Sequence, residues 1–269
     1  MDDSTDPVLF ERDDGVALIT LNRPHEGNAL APEMTRSLTQ IWTRVKEDNS
    51  IRAVILTGGG ERHFCTGASV GKLGVGQGGL HNLPYADVNR FTSRMMAVPQ
   101  PVICVVNGLC NAGGLHFIAD SDIVIAHNGV QFLDSHVDVG QVSALESIGI
   151  ARRAGIGAAL LMGLVGRAYR LSAERAHQLG IIDLIEPTAA AAMARAQELA
   201  RAICANSPQA VALTKRAIWA STELPDPQAL QYAWELLKSQ WAHPDFDEGP
   251  RAFTEKRSPN WNPDPNARR

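Results

Sequence analysis

Cysteine is scarce in this chain. Its 269 residues include four, Cys65, Cys104, Cys110 and Cys204, and no two of them are spaced Cys-x-x-Cys. This spacing excludes a zinc ribbon and a dithiol redox motif. A chain of this length buries enough apolar surface to fold without disulfides or metals. Large chains with few cysteines are typical of reducing compartments, so we expect reduced thiols and a cytoplasmic location.

Long hydrophobic runs are also missing. The longest uncharged apolar stretch, residues 154–165, is shorter than the ~20 residues that a membrane-spanning helix needs, and Arg152 and Arg153 precede it. The first ten residues, MDDSTDPVLF, have neither the basic nor the apolar region of a signal peptide. We therefore expect a soluble protein without a membrane anchor or a secretory leader.

No strong excess of charge of either sign is present. The chain has 25 Lys and Arg against 29 Asp and Glu, a formal net charge of -4. This balance does not favour nucleic acid or an anionic membrane as a partner. Hydrophobic residues make up 45% and charged residues 20%, which is the composition of an ordinary globular protein.

Short apolar runs alternate with helical patterns in the first two thirds of the chain. The runs are nearly continuous in Val, Ile and Leu, which is typical of strands buried on both faces. They cover residues 16–21, 53–56, 102–106, 123–126 and 182–185. Between the first two, apolar residues recur at helical spacing over residues 34–45. Alternating strands and helices predict an α/β fold.

The pattern becomes entirely helical after residue 188. Residues 189–205, 208–219 and 227–241 each have helical spacing, with Pro and Asp at the joints. We therefore predict an α/β core over residues 1–188 and a helical C-terminal segment over residues 189–269. The glycine-rich stretch at 71–79 has no apolar face and is predicted to be a mobile loop.

Three short motifs are better explained by chance. Residues 67–71 match G-x-S-x-G, but residues 61–66 are too polar for the buried strand that must precede a nucleophile elbow. Residues 74–79 match G-x-G-x-x-G but follow no strand. Residues 136–138 fit the His-x-Asp of non-haem iron sites, whose usual scaffold is all-β, so we predict no metal site.

A set of motifs in fixed order is more specific than any single one. The motifs are NRP at 22–24, NAL at 28–30, LTG at 56–58, FCTGA at 64–68, QPVI at 100–103, VNG at 106–108, AGGL at 112–115, DIVIA at 122–126, YRLSAE at 169–174, LGII at 179–182 and EGPRAFTEKR at 248–257. In this order the chain resembles the crotonase superfamily, the enoyl-CoA hydratase/isomerase family, from about residue 8 to residue 261. The resemblance implies a spiral of strand-strand-helix repeats and a C-terminal helical segment that mediates oligomerisation.

The resemblance also implies an oxyanion hole made by the backbone amides of Ala68 and Gly113. Two such amides hold the thioester carbonyl oxygen of an acyl-CoA and stabilise its enolate, at about 3–4 kcal/mol per donor in well-studied sites. Asn111 is a suitable N-cap for the helix that follows, whose first amides point outward and favour negative charge. The substrate contacts implied by the resemblance are Arg23, Ala29, Gly67 and Gly114.

Histidine occupies both positions where hydratases of this family carry catalytic glutamates. The resemblance places these positions at His116, three residues after Gly113, and at His136, which follows the pair Gln131-Phe132. Histidine titrates near neutral pH and is a competent acid or base there. We therefore predict that His116 and His136 are catalytic, and ordinary two-glutamate hydration is in doubt.

Three acidic residues near His136 are candidates for supporting the two histidines. Asp138 and Glu146 are close enough in sequence to orient one imidazole or to supply the missing carboxylate. Asp134 is a further candidate. Each of the three can equally be a solvated acid on a loop, and the sequence does not decide between these interpretations.

The resemblance implies an enzyme, a lyase or isomerase, that acts on an acyl-CoA thioester through an enolate. Coenzyme A is then part of the substrate, and no metal or further cofactor is required. Some superfamily members hydrolyse carbon–carbon bonds of β-diketones with a histidine and an aspartate, so a retro-Claisen hydrolase is the first alternative. The second is a protein that binds acyl-CoA without turnover, since a ground-state carbonyl can use the same amides.

Coenzyme A carries several negative charges, so an acidic protein that binds it needs a local basic patch. The candidates are Arg23, Lys72, Lys215, Arg216, Lys256 and Arg257. The resemblance further implies a homotrimer, or a hexamer built from two trimers, in which residues 189–269 pack between subunits.

Overall fold

The computed structural model describes residues 6–69 and 90–269. The predicted mobile loop at 71–79 and Lys72 lie outside the described residues. The strands are β1 (Val8–Asp13), β2 (Val16–Leu21), β3 (Ala53–Gly58), β4 (His63–Cys65), β5 (Val102–Val106), β6 (Leu109–Asn111), β7 (Ile123–His127), β8 (Gln131–Leu133), β9 (Leu171–Ser172) and β10 (Leu184–Glu186).

The larger of two sheets has the strand order β1-β2-β3-β5-β7-β10. Strands β2, β3, β5, β7 and β10 are parallel, whereas β1 joins β2 as an antiparallel hairpin. Every residue of β3 and β5 is buried, as expected for continuous apolar strands covered on both faces. The predictions at 16–21 and 102–106 are confirmed residue for residue, and those at 53–56 and 123–126 extend slightly further.

The sequence pattern missed β1 and the four strands of the smaller sheet, which are only two or three residues long, and it misplaced β10. β1 is apolar only in its first half and lies at the sheet edge with Glu11 and Arg12 exposed, so no continuous apolar run marks it. The last strand was predicted at 182–185 but spans Leu184–Glu186. Ile182 is buried in the bend before the strand, so its apolar character reports burial and not strand pairing.

Helices follow the strands and then dominate the C-terminal part. They are α1 (Pro32–Glu47), α2 (Leu115–Asp120), α3 (Leu145–Ala154), α4 (Ile156–Val165), α5 (Ala173–Gln178), α6 (Ala189–Cys204), α7 (Pro208–Ala220), α8 (Asp226–Trp241) and α9 (Asp245–Glu255). The helical patterns at 189–205, 208–219 and 227–241 correspond to α6, α7 and α8 within one residue at each end. Helix α9 was not predicted, because Gly249 and Pro250 in its middle argue against a helix.

The strands of the smaller sheet complete the repeating unit of the fold. The order of this sheet is β4-β6-β8-β9, and β4, β6 and β8 directly follow β3, β5 and β7 of the larger sheet. A helix comes after the second strand of a repeat, as α2 does after β5 and β6. This strand-strand-helix succession confirms the predicted α/β class and brings the ends of β4, β6 and β8 side by side.

Helix α6 packs directly on the larger sheet. Ala192, Ala196 and Ala200 are completely buried against a sheet face that includes Ile55 and Ile103. Small side chains on one stripe let the helix lie close to the sheet. The boundary predicted at residue 188 thus falls between β10 and α6. The first helix of the predicted C-terminal segment, α6, covers one face of the core sheet. In residues 6–69 and 90–269 no helix is long and apolar enough to cross a membrane.

Candidate active site

Two backbone segments meet where the resemblance places the oxyanion hole. Gly67 O accepts from Leu30 N at 2.8 Å, and Ser69 N donates to Leu30 O at 3.2 Å. The amide of Ala68, the residue between Gly67 and Ser69, takes part in neither hydrogen bond. A Cβ atom added to Gly113 would lie 3.5 Å from Ala68 N. Gly113 is the second residue of the 3-10 turn Ala112–Gly114, whose first amides have no partner within the turn. The amides of Ala68 and Gly113 are therefore neighbours.

The glycine before Ala68 is required by this close approach. Gly67 has φ +89°, in the left-handed region, and an added Cβ would lie 2.8 Å from both Gly113 N and Ala112 Cβ. Gly114 is different, because its added Cβ would lie 2.6 Å from Cys65 O. Gly114 thus packs against β4, whereas Gly67 lies at the two amides. That Gly114 contacts substrate stays a prediction.

Asn111 does not cap the helix after it. Its backbone is extended, as in ordinary N-caps, but its side chain makes no capping hydrogen bond because its amide bonds across the smaller sheet. Its Nδ2 donates to Thr66 O at 3.2 Å and to Ser135 Oγ at 2.9 Å. Asn111 therefore links the ends of β4, β6 and β8, and the N-cap prediction is corrected to a bridging role.

His116 is the second residue of α2, two positions after Gly114. Its side chain is buried, and its Nε2 is 3.3 Å from Glu146 Oε1 on α3. The ring of Phe91 packs edge-on to the imidazole, with centroids 5.3 Å apart. Sequence reasoning missed Phe91, because a lone aromatic residue outside any motif carries no signal of such a contact.

His136 follows β8 and begins a 3-10 turn. Its Nδ1 is 2.7 Å from Asp134 Oδ1, and its Nε2 is 3.7 Å from Glu146 Oε1. Glu146 is buried and lies between the two imidazoles. The structure therefore brings together His116, His136 and Glu146, which lie on three different elements of the chain.

Hydrogen bonding controls the protonation of this cluster. Burial by itself would raise the pKa of Asp134, but hydrogen bonds from His136 and Ser143 outweigh it and hold that pKa below the usual range. Burial likewise opposes ionisation of Glu146, while the hydrogen bond and charge of His116 lower its pKa. The hydrogen bond to Asp134 raises the pKa of His136, against burial and aided by the charge of Glu146. Both carboxylates are thus ionised at neutral pH, and the imidazolium form of His136 is favoured.

Asp138 lies apart from the two histidines. It accepts a hydrogen bond from Arg167 N at 2.7 Å, and its other oxygen is 3.1 Å from Arg167 Nε. These contacts, led by the backbone hydrogen bond, lower the pKa of Asp138. The turn after His136 directs the carboxylate toward Arg167, which corrects the expectation that Asp138 orients an imidazole. Of the three acidic candidates, Asp134 and Glu146 lie beside the imidazoles.

Arg23 and Ala29 belong to the segment that leads to Leu30 and the Ala68 turn. Arg23 N donates to Asn28 Oδ1 at 2.9 Å, and Asn28 Nδ2 donates to Gly59 O and His63 O, each at 3.0 Å. Asn28 has φ 52°, which this network holds in place. The segment therefore lies beside the two amides with a fixed backbone, and Ala29 is buried within it.

Two of the basic residues considered for CoA binding are already paired. Lys215 Nζ is 2.7 Å from Asp122 Oδ2 and donates to Gln100 O at 2.8 Å. Arg257 is paired with Glu248 and Glu255. These contacts already engage both side chains. Arg23, Arg216 and Lys256 are the other candidates in the described part of the chain.

The described residues offer little evidence for catalysis by a thiol or a bound metal. The four cysteines are free, and burial raises the pKa of Cys65 to about 12. A thiol with that pKa is not a nucleophile near neutral pH. Among residues 6–69 and 90–269, no group of three or more His, Cys, Asp or Glu side chains is arranged to hold a metal ion.

The same fold and length occur in characterised and solved proteins. The chain is 34% identical to the (E)-benzylidenesuccinyl-CoA hydratase of Thauera aromatica over 257 residues, covering 94% of this chain and 98% of that protein. It is 33% identical to the 1,2-epoxyphenylacetyl-CoA isomerase of Escherichia coli over 261 residues, covering 94% and 97%. The crystal structure of an enoyl-CoA hydratase/isomerase from Mycobacterium paratuberculosis superposes with a TM-score of 0.87 at 34% identity, covering 97% of this chain and all of that one.

Family membership follows from the extent of the match. Residues 11–264 match the enoyl-CoA hydratase/isomerase family, which is nearly the whole chain. The fold, the paired amides and the relatives agree with this match along the full length. The chain therefore belongs to the enoyl-CoA hydratase/isomerase family, and the predicted enzyme class, a lyase or isomerase of the hydratase type, is confirmed.

Proposed function

We propose that this protein acts on an acyl-CoA thioester through an enolate, with His116 and His136 as acid–base groups in place of the family's glutamates. The observation that carries the proposal is Glu146, which lies 3.3 Å from one imidazole and 3.7 Å from the other. A buried carboxylate between two titratable rings forms a unit that can hold and move a proton. Glu146 supplies the carboxylate that the two substitutions remove.

The amides of Ala68 and Gly113 support the enolate half of the proposal. They lie side by side at the start of α2, where the unsatisfied amides and the helix dipole favour negative charge. The thioester oxygen would accept from both amides and become more negative as the enolate forms. In the proposed complex, the ring of His116, three residues after Gly113, would lie near the carbon atoms next to that oxygen.

The proton transfers follow from the positions of the ring nitrogens. The 3.7 Å from His136 Nε2 to Glu146 Oε1 is too long for a hydrogen bond, so this nitrogen stays available to a substrate or a water molecule. In hydration, water adds its hydroxyl group to the β-carbon and a proton reaches the α-carbon of the enolate. In isomerisation, one proton leaves a carbon atom and another returns elsewhere. Both need one group that gives a proton and one that takes it.

A second candidate is the retro-Claisen hydrolysis of a β-diketone. The observation that favours it is the 2.7 Å contact of His136 Nδ1 with the buried Asp134, because a histidine backed by a carboxylate activates water well. Water would attack one ketone carbon, the bond to the neighbouring carbon would break, and the leaving enolate would take the proton from the imidazolium.

The relatives narrow the acyl groups worth testing. One is named as a hydratase of benzylidenesuccinyl-CoA and another as an isomerase of epoxyphenylacetyl-CoA, and both names describe aryl-substituted acyl groups. We therefore include aryl-substituted enoyl-CoA esters beside crotonyl-CoA.

The proposal also covers cofactor and location. Coenzyme A is part of the substrate, and no further cofactor is required. The proposed location is the cytoplasm.

A substrate panel tests these candidates together. Wild type and a His116→Ala/His136→Ala double variant are assayed with aliphatic and aryl-substituted enoyl-CoA esters and with β-diketones. We expect wild type to turn over one class of ester, and we expect the turnover rate of the double variant to be at least about 100-fold lower. Turnover of diketones alone would support the hydrolase, and no turnover of any compound would contradict both candidates. Undiminished turnover by the double variant would remove both histidines from the mechanism.

A further inference from the structure

We propose that Asp134 is a positioning residue that fixes the tautomer and orientation of His136, so that Nε2 is always the nitrogen that exchanges protons. Ser143 in turn holds Asp134 in place. This inference rests on the proposed function, since it concerns how one of its acid–base groups is prepared. It assigns a role to a buried acid that does not face the reacting atoms.

The geometry around Asp134 restrains the His136 ring from two directions. Asp134 Oδ1 accepts from the ring Nδ1 of His136 at 2.7 Å and from the backbone N of the same residue at 3.0 Å. One oxygen that binds both the backbone and the ring of a residue limits rotation of that ring. The Asp134 side chain is 1% exposed, so water does not compete for these bonds.

The second oxygen of Asp134 is also occupied. Ser143 Oγ donates to Asp134 Oδ2, and Ser143 Oγ lies 2.6 Å from Ser147 Oγ on α3. With donors on both oxygens the carboxyl group is an acceptor throughout, as an ionised carboxylate is. The bond between Asp134 and the ring therefore needs the proton on Nδ1 of His136.

The charges around His136 determine how its protonation responds to Asp134. Asp134 lies on the same segment as His136, and Glu146 of α3 lies 3.7 Å from Nε2. His116 of α2 contacts the same Glu146 oxygen. Asp138 follows in the same turn but is paired with Arg167. Loss of the negative charge of Asp134 is therefore expected to lower the pKa of His136, and a change at Asp138 is not.

The first test reads the tautomer directly and needs no substrate. Long-range ¹H–¹⁵N spectra of the ¹⁵N-labelled wild-type protein, above the pH at which His136 is doubly protonated, show which ring nitrogen carries the proton. The signal is assigned with a His136→Gln variant. We expect the proton on Nδ1. A proton on Nε2, or an equal mixture of tautomers, would overturn the proposal.

The second test separates positioning from structural support. Asp134→Asn removes the charge and keeps the shape, Ser143→Ala removes one donor and keeps the charge, and Asp138→Asn is the matched control. We expect Asp134→Asn to mix the tautomers and to move the NMR titration of His136 to lower pH. Ser143→Ala should not lower that titration, and Asp138→Asn should leave both readouts unchanged. An Asp134→Asn variant with the wild-type tautomer and titration would overturn the proposal.

Kinetics then connect the residue to turnover. With the ester that wild type turns over fastest in the panel, we expect Asp134→Asn to lower kcat by about 10- to 100-fold with KM nearly unchanged. The limb of the pH–rate profile that reports His136 should move to lower pH. Full activity of the His116→Ala/His136→Ala variant would contradict the proposed function, whereas full activity of Asp134→Asn alone would contradict only the positioning role.

Discussion

Single residues decide what this site can do, and Glu146 is the most informative of them. It lies in the first turn of α3, where its carboxylate reaches between His116 and His136. Asp138 is closer to His136 in sequence, yet its carboxylate faces Arg167. Position in the sequence therefore did not distinguish Glu146 from Asp138, because Glu146 reaches the two imidazoles only once the fold brings α3 onto α2.

Removing the charge of Glu146 should change both rate and pH dependence. Its negative charge favours the imidazolium of His136, so Glu146→Gln is expected to lower the pKa of that histidine. We expect kcat to fall by about 10- to 100-fold and the His136 limb to move to lower pH. Steady-state kinetics across pH measure both effects, with the exposed Glu174→Gln as a control. An unchanged rate and profile would separate Glu146 from the chemistry.

The space around Gly67 predicts a second effect on rate. In Gly67→Ala the new methyl group would lie 2.8 Å from Gly113 N at a φ of +89°, so the two amides must move apart. Loss of one oxyanion donor costs about 10²- to 10³-fold in kcat. Gly157→Ala on α4 is the matched control, because its added Cβ meets nothing within 4 Å. Similar rates for the two variants would argue against an oxyanion hole at these amides.

At the scale of elements, hydrogen bonds attach the C-terminal tail to the helices. Ser207 Oγ, at the start of α7, accepts from Ala210 N and donates to Asp245 Oδ2 at 2.5 Å. Asp245 also accepts from Asn262 N at 2.8 Å, and His243 Nε2 lies 3.0 Å from Asp264 O. Ser207, His243 and Asp245 are buried, so the loss of a partner leaves a polar atom of theirs unsatisfied.

Ser207 therefore has two roles, and its loss should cost more than that of a simple cap. We expect Ser207→Ala to lower the free energy of unfolding by about 2–3 kcal/mol, from the lost cap and the unsatisfied carboxylate oxygen. Ser172→Ala removes a cap alone, since Ser172 accepts only from Arg175 N in α5, and should cost about 1 kcal/mol. Urea unfolding compares the two variants, and equal losses would contradict the second role of Ser207.

The acid dependence of the same region has a defined sign. Hydrogen bonds from Arg257, Asn260 and Arg251 hold the pKa of Glu248 well below its usual range. A carboxyl group with a lowered folded-state pKa contributes stability above its unfolded pKa of about 4.3 and loses it as pH falls toward the folded pKa. We expect Glu248→Gln to be less stable than wild type at pH 7 and to show a smaller fall in Tm on acidification below pH ~4.5. Parallel Tm curves for the two proteins would contradict this linkage.

At the scale of the whole molecule, a substantial apolar surface remains exposed. Ile156 and Leu164 on α4 are each 70% exposed, and Trp234 on α8 is 48% exposed. Monomers rarely expose large side chains of this kind together, so these helices are candidates for contacts between subunits. The expected trimer, or hexamer of two trimers, would cover them.

Light scattering tests the assembly. We expect a mass of about three or six times the 29.0 kDa of one chain. Leu164→Glu introduces a charge on the exposed face of α4 and should shift the mass toward that of one chain, because a charge buried unpaired at an interface is costly. A stable wild-type monomer would contradict the assembly and leave the site geometry as it is.

Much of the fold was predictable because buried positions form continuous apolar runs in the strands and recur at helical spacing in the helices. The continuous runs of β2, β3, β5 and β7 and the helical spacing of α1 and α6–α8 are local signals, and they gave correct elements. The edge strand β1 was missed because its second half is polar and exposed, and helix α9 was missed because Gly249 and Pro250 lie within it. The two histidines were found by comparison with family motifs, whereas the contacts of Phe91, Ser143 and Glu146 depend on how α2, α3 and β8 pack.

The central claim is that two imidazoles and one shared carboxylate perform the acid–base chemistry. The pH dependence of kcat/KM for the ester that wild type turns over fastest, between about pH 5 and 8, tests it most directly. The account predicts an ionisation near neutral pH in the wild-type profile and its displacement to lower pH in Glu146→Gln. A flat wild-type profile over this range would contradict the account.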